Sequence, residues 1–175
     1  MVRSKKLRTA GAVWGMGGTI AFIAYGIHKL WGFAWDLDFA ALTAFEIYVL
    51  VLWVAYMLYT EGYKAFGKQF SPRVAARTQY LAREGTAKQL ILAPLFVFGY
   101  FHSSRRRMVA TYILTISIII LAVSIRYLPH PWRPILDMGA LLGLSYGMVT
   151  VFYFTWRARR AHPTYIADPI VEFKK

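Results

Sequence analysis

Four long apolar runs constrain this chain more than any other feature. Residues 10–33, 39–60, 108–127 and 135–156 each approach or exceed the ~20 residues that a helix needs to cross a hydrocarbon layer ~30 Å thick. In lipid, every backbone N–H and C=O must find a partner within its own segment or a closed barrel. Runs of this length answer that demand as helices. The third run carries Ile116, Ile118, Ile119 and Ile120. Such residues partition favourably into lipid, so this run also reads as a helix. Charged residues make up only 17% of the chain and apolar residues 58%. A water-soluble domain carries roughly 25% charged residues, so the surface expected here faces lipid. The expected fold is all-α: one polytopic membrane domain with four transmembrane helices and a cytoplasmic helical hairpin, amphipathic or re-entrant.

A fifth apolar run, residues 90–101, is 12 residues long and contains Pro94. Runs of that length more often re-enter or lie at the interface than span. Charge supports this count. With four crossings and a cytoplasmic N-terminus, 18 of the 21 Lys and Arg fall on the inner side. Only Lys29, Arg126 and Arg133 fall outside. A fifth crossing would carry Arg105, Arg106, Arg107 and the basic C-terminal tail outward, against the positive-inside bias. The expected location is therefore a bacterial inner (cytoplasmic) membrane, with both termini, the loop 61–107 and the tail 157–175 in the cytoplasm. The net charge of +13 then needs no nucleic acid. An uncleaved first helix, rather than a signal peptide, fits the basic start and the spans that follow.

The loop 61–107 is too long for a plain connector. Ser71-Pro72 resembles a helix start, and Gly85 a stop. Between them Arg73, Arg77 and Arg83 share a face, which suggests a basic amphipathic helix on the membrane surface. Thr86 is placed to cap a second helix. Arg73, Arg77, Arg83, His102, Arg105, Arg106 and Arg107 are the expected contacts for an anionic lipid headgroup or an acidic partner.

Within the spans, Glu46 is the most conspicuous residue. Counted from Asp38 it lies ~12 Å below the outer surface, where a carboxylate needs a partner. Lys29 and His28 on the preceding helix are the expected partners, so Glu46, Lys29 and His28 form a candidate intramembrane cluster. Asp137 is expected to pair with Arg126 or to face water. Gly139, Gly143 and Gly147 recur every four residues, as do Gly11 and Gly15. That spacing lets helix backbones approach closely, within one chain or between copies.

No cofactor is expected. The chain has no cysteine, which removes disulfides and thiolate sites. Its four histidines are scattered, and neither a phosphate loop nor a metal-ligand spacing is present. Residues Gly26, His28, Lys29, Trp31 and Gly32, followed by Glu46, resemble the start of DoxX-like four-helix membrane proteins. That resemblance implies a four-helix membrane fold and nothing about activity. The expected function is a non-enzymatic structural or accessory subunit of a membrane complex. Its expected partners are anionic lipids, a membrane-protein partner or a second copy. One alternative is a small transporter or channel using Glu46, Lys29 and His28. Another is a headgroup enzyme in which His102 converges with Glu61 or Glu84.

The absence of native cysteine allows a direct test of crossing number. Single cysteines replacing Ser4 and Ser104 should react with an impermeant maleimide from one side of sealed vesicles, and one replacing His130 from the other. Ser104→Cys reacting from the side opposite to Ser4→Cys would mean an odd number of crossings between them, as a fifth spanning run requires.

Overall fold

The computed structural model describes residues 5–160, and all regular secondary structure among them is helical. The tail beyond Arg160, with Lys174 and Lys175, lies outside the described residues. Helix α1 spans Lys5–Trp35, and α2 spans Ala44–Met57. A π-helical segment, Leu58–Phe70, continues α2 without a break into α3, Ser71–Glu84. Two short helices follow, α4 (Ala87–Ile91) and α5 (Ala93–Phe98). Then come α6, Arg105–Ile125, and α7, Trp132–Arg160. Four helices, α1, the composite Ala44–Glu84, α6 and α7, are long and apolar enough to cross a membrane.

The second apolar run becomes helical later than its composition suggests. Thr43 accepts a hydrogen bond from the Glu46 N–H at 3.3 Å, and the Glu46 carboxylate accepts from the Thr43 N–H at 2.8 Å. This reciprocal capping box satisfies orphan donors at the helix start. It sets the first helical residue at Ala44 rather than Phe39.

The helix then continues where the sequence suggested a loop from residue 61. The Ser71 N–H donates to the Phe66 carbonyl, five residues back, so the wider π hydrogen-bonding pattern reaches the junction with α3. Pro72 sits in the first turn of α3, where a missing N–H costs little. Ser71 caps nothing there; its hydroxyl shares a 2.8 Å hydrogen bond with Thr150 on α7. Gly85 ends the composite helix. The Gln89 side chain then accepts from the Thr86 N–H at 2.9 Å, starting α4.

Glycine faces seat the bundle. A Cβ on Gly147 would lie 2.5 Å from the Phe66 ring, and one on Gly143 would lie 3.0 Å from the Glu61 carboxylate. Trp53 lies against Gly139 and donates from its indole N–H to the Leu136 carbonyl at 3.1 Å. The composite helix therefore runs parallel to α7 from Trp53 beside Leu136 to Gln79, which donates to the Ala158 carbonyl. Helix α1 runs antiparallel to α7. Phe33 underlies the Arg133 guanidinium at 3.8 Å, Gly26 faces Leu144, and Met16 accepts from Thr155 at 3.5 Å.

On its other side α1 receives α4 and α5. Gly11 faces Leu90, Gly15 faces Ala93 and Val97, and Gly18 faces Pro94. Leu90, Ala93, Phe96 and Val97 are buried with Val74 and Leu81 of α3 in the main core. Helix α3 does not lie apart on a surface. Its buried face, Ser71, Val74, Ala75, Ala76, Arg77 and Leu81, packs into the bundle.

Helix α6 differs from the others because none of its residues is buried. It is tethered near its start by Tyr100, whose hydroxyl shares a 2.7 Å hydrogen bond with Thr115 and whose ring meets Tyr112 edge-on at 5.3 Å.

The glycine contacts predict an asymmetric response to substitution. Gly147→Leu should displace Phe66 and cost about 1–3 kcal/mol, the usual cost of overpacking. Gly17→Leu should be nearly neutral, because nothing lies within 4 Å of its Cβ position. Thermal unfolding of both variants in mild detergent checks the difference.

Candidate functional site

Near the start of α6, three arginines converge. Arg73 and Arg77 of α3 and Arg107 of α6 line one cleft with Phe70, Val97, Phe98, Gly99 and Ser103. The chain arrives there through a tight reversal after α5. Gly99 takes φ +96°, a left-handed conformation that glycine adopts without strain, and His102 takes φ +52°. Both fall in the connection between α5 and α6.

Arg77 holds that reversal in place. Its side chain is 2% exposed. One terminal nitrogen donates to the Phe96 carbonyl at 2.6 Å and the Phe101 carbonyl at 3.4 Å. The other donates to the His102 carbonyl at 3.0 Å and to the Ser103 hydroxyl. The guanidinium also lies 4.8 Å above the centre of the Phe96 ring. A planar fork of donors can satisfy several carbonyls from one point in a way an ammonium cannot. Arg77 was expected as an exposed headgroup contact, but its two terminal nitrogens donate to the chain itself.

Arg73 and Arg107 are placed differently. Arg73 is part-buried and uses its Nε to reach the Gln69 carbonyl at 2.7 Å. Arg107 has a buried terminal nitrogen, Nη1, with no hydrogen-bond partner. The two guanidiniums carry like charge and line the same cleft. A buried donor without a partner costs about 1–3 kcal/mol, more when it is charged. Two like charges with a spare donor form a local environment that an anion would relieve. Of the remaining expected contacts, Arg83, Arg105 and Arg106 are exposed and do not line the cleft, and His102 contributes its carbonyl rather than its ring. The His102 ring instead packs edge-on against Phe101 at 5.3 Å.

The expected intramembrane cluster is not assembled. Glu46 is the third residue of α2, so it sits at the helix end and its carboxylate is engaged by Thr43. It forms no ion pair with Lys29 or His28. The Lys29 ammonium lies 5.7 Å from the centre of the Tyr25 ring, and His28 is exposed. The depth count from Asp38 assumed a helix already under way at Phe39, whereas the capping box starts it at Ala44. Asp137 pairs with Arg133 one turn earlier, at 3.7 Å, rather than with Arg126.

Besides Asp137, which is buried beside Arg133, Glu61 has a carboxylate oxygen withdrawn from water. Its Oε2 is buried without a hydrogen-bond partner and rests against Gly143. Glu61 does not meet His102, so one form of the headgroup-enzyme pairing is not assembled. Composition alone could not single out Glu61, because it sits among Lys64, Lys68 and Gln69 in a stretch that reads as polar. The i, i+4 glycines of α7 were the available signal, since whatever packs on them is held close. Among the described residues, no group of three or more His, Asp or Glu is placed to hold a metal ion.

Comparison with protein-family models, with curated proteins and with solved structures found no match, so no relative extends the resemblance seen in residues 26–46.

The role given to Arg77 is checkable. Arg77→Gln should destabilise the protein by about 3 kcal/mol or more, because it strips buried carbonyls of their donors. Arg77→Lys should recover only part of that loss. Thermal unfolding and limited proteolysis within residues 99–104 report the effect.

Proposed function

We propose that this chain is a non-enzymatic structural or accessory subunit of a membrane complex, and that its arginine cleft holds the phosphate of an anionic lipid headgroup. The observation that carries this reading is the convergence of Arg73 and Arg107 on one cleft, with the buried Nη1 of Arg107 unpaired. Phosphate offers charge and several acceptor oxygens, and guanidinium pairs bind it with charge-assisted hydrogen bonds.

Membrane insertion is supported by α6, a 21-residue apolar helix with no residue buried against the rest of the chain. Water is a poor solvent for such a surface, and lipid or a membrane partner is a good one. In this reading both termini are cytoplasmic, because that orientation gathers most Lys and Arg on the inner side. The cleft then lies at the inner headgroup layer, where α6 begins with Arg105, Arg106 and Arg107. Helices α4 and α5 form a re-entrant hairpin against the Gly11, Gly15 and Gly18 face of α1. A bacterial inner membrane, rich in anionic lipid on its cytoplasmic side, suits this arrangement.

The test is lipid retention. Protein purified in mild detergent and examined by native mass spectrometry should keep a phosphatidylglycerol-type lipid in preference to phosphatidylcholine. Arg73→Gln combined with Arg107→Gln should weaken that retention about ten-fold or more, the loss expected for charge-assisted hydrogen bonds to phosphate. Arg105→Gln combined with Arg106→Gln should change it little. Equal losses in both double variants, or no preference in the parent protein, would overturn the assignment to this cleft.

A further inference from the structure

The π-helical segment brings a carboxyl group to an unusual place. Gly143, against which Glu61 rests, lies 10 residues from Arg133 and 14 from Arg157 on the same helix. At ~1.5 Å per residue those distances are about 15 and 21 Å. Glu61 is thus held against the apolar stretch of α7 that lies between Asp137, six residues before Gly143, and Arg157. Its neighbours in the segment turn away from it. Lys64 lies over the Tyr59 ring at 4.7 Å and Lys68 over the Tyr63 ring at 4.7 Å, each five residues back, as a π repeat allows. Both lysines are exposed. On α7, Gly143 itself presents no side chain, and the Tyr146 ring is turned to Gly62. Oε2 has no hydrogen-bond partner, and Glu61 forms no ion pair among the described residues.

Two independent observations thus meet at one residue. A carboxyl oxygen is buried without a partner, and the surrounding helix is wound in a rare form that is frequent at functional sites. An unpaired carboxylate in an apolar interior is costly, whereas the neutral acid is tolerated and carries an exchangeable proton. We propose that Glu61 is a proton-binding site within the membrane-embedded bundle, occupied as the neutral acid when packed on Gly143. The ligand is a proton, and the bond that forms and breaks is the O–H of the carboxyl group. Release of that proton requires a compensating cation or an opening of the Glu61–Gly143 contact to water. The proposal depends on the membrane location of α7 and is independent of the arginine cleft.

Carbodiimide chemistry tests it on the full-length protein in membranes. Dicyclohexylcarbodiimide partitions into lipid and adds to protonated carboxyl groups, leaving a stable acylurea that peptide mass spectrometry locates. A water-soluble carbodiimide with an amine reports exposed carboxylates such as Asp36 and Asp38. The expected result is a hydrophobic-reagent adduct on Glu61 from mildly acidic to neutral pH, with loss of that adduct in Glu61→Gln. The water-soluble reagent should spare Glu61 while marking the exposed acids. No Glu61 adduct at any pH in that range would overturn the proposal, and so would Glu61 reacting with the water-soluble reagent as readily as Asp36 and Asp38. Because the decisive readings come from the parent protein, they stand even where Glu61→Gln folds poorly. Loss of lipid retention at the arginine cleft would leave them unchanged.

Discussion

The close approach of helix backbones along glycine faces is the constraint on which this architecture depends. In lipid, apolar side chains gain little by leaving one hydrocarbon environment for another, so association relies on dense contact. Gly139, Gly143 and Gly147 open a shallow channel along α7, and Trp53, Glu61 and Phe66 fill it in order. Gly11, Gly15 and Gly18 do the same on α1 for Leu90, Ala93 and Pro94. These two channels lie on different helices, and α1 and α7 are themselves packed against each other. The three-helix core and the short α4–α5 pair are consequences of that arrangement.

The same geometry explains why α6 stands outside. It carries Thr111, Thr115, Ser117 and Ser124 but no glycine, and its isoleucines project all round. Thr111, Thr115 and Ser124 each return their hydroxyl to the carbonyl four residues earlier, so their polarity is satisfied within the helix. A helix of this kind asks nothing of its neighbours. Its only firm attachments in the described chain are at the turn that Arg77 organises and at Tyr100.

The four apolar helices, the stop at Gly85 and the start after Thr86 were legible because each is a local property. Length or a left-over N–H decides them within a few residues. The continuity of the helix from Ala44 to Glu84 was not legible. The segment after Thr60 is rich in Glu, Lys and Gln, and polarity there reads as a loop when its packing against Gly143 and Gly147 is unknown. Arg77 was misread for a related reason. Its partners at Phe96, Phe101, His102 and Ser103 lie 19 to 26 residues away in sequence. On a helical projection the residue resembles any other charge on a basic face. Glu46 failed in the opposite sense: a threonine three residues earlier, a purely local signal, outweighed the depth argument.

Burial and hydrogen-bond satisfaction together separate the charged groups of this chain into those that build it and those available to something else. Arg77 is more deeply buried than Arg107, yet its donors reach three carbonyls and a hydroxyl, so removing it breaks structure. Arg107 keeps a buried donor unmatched beside a second guanidinium, and Glu61 keeps a buried acceptor unmatched beside a glycine. Native proteins leave few buried polar atoms without a partner, and each exception asks for a reason. Arg107 shares its cleft with Arg73, and Glu61 rests against Gly143 in the packing of the π segment on α7. Arg8, Thr78, Arg133 and Asp137 also keep a buried atom unmatched, but Arg8 bonds through its Nη1 and Arg133 and Asp137 lie beside each other. Arg107 and Glu61 have opposite chemical character, a donor calling for an anion and an acceptor calling for a proton. They also lie apart: Glu61 rests on Gly143 of α7, whereas the cleft of Arg107 is lined by no residue of α7. A structural role common to both would not produce that opposition, whereas two separate ligands would.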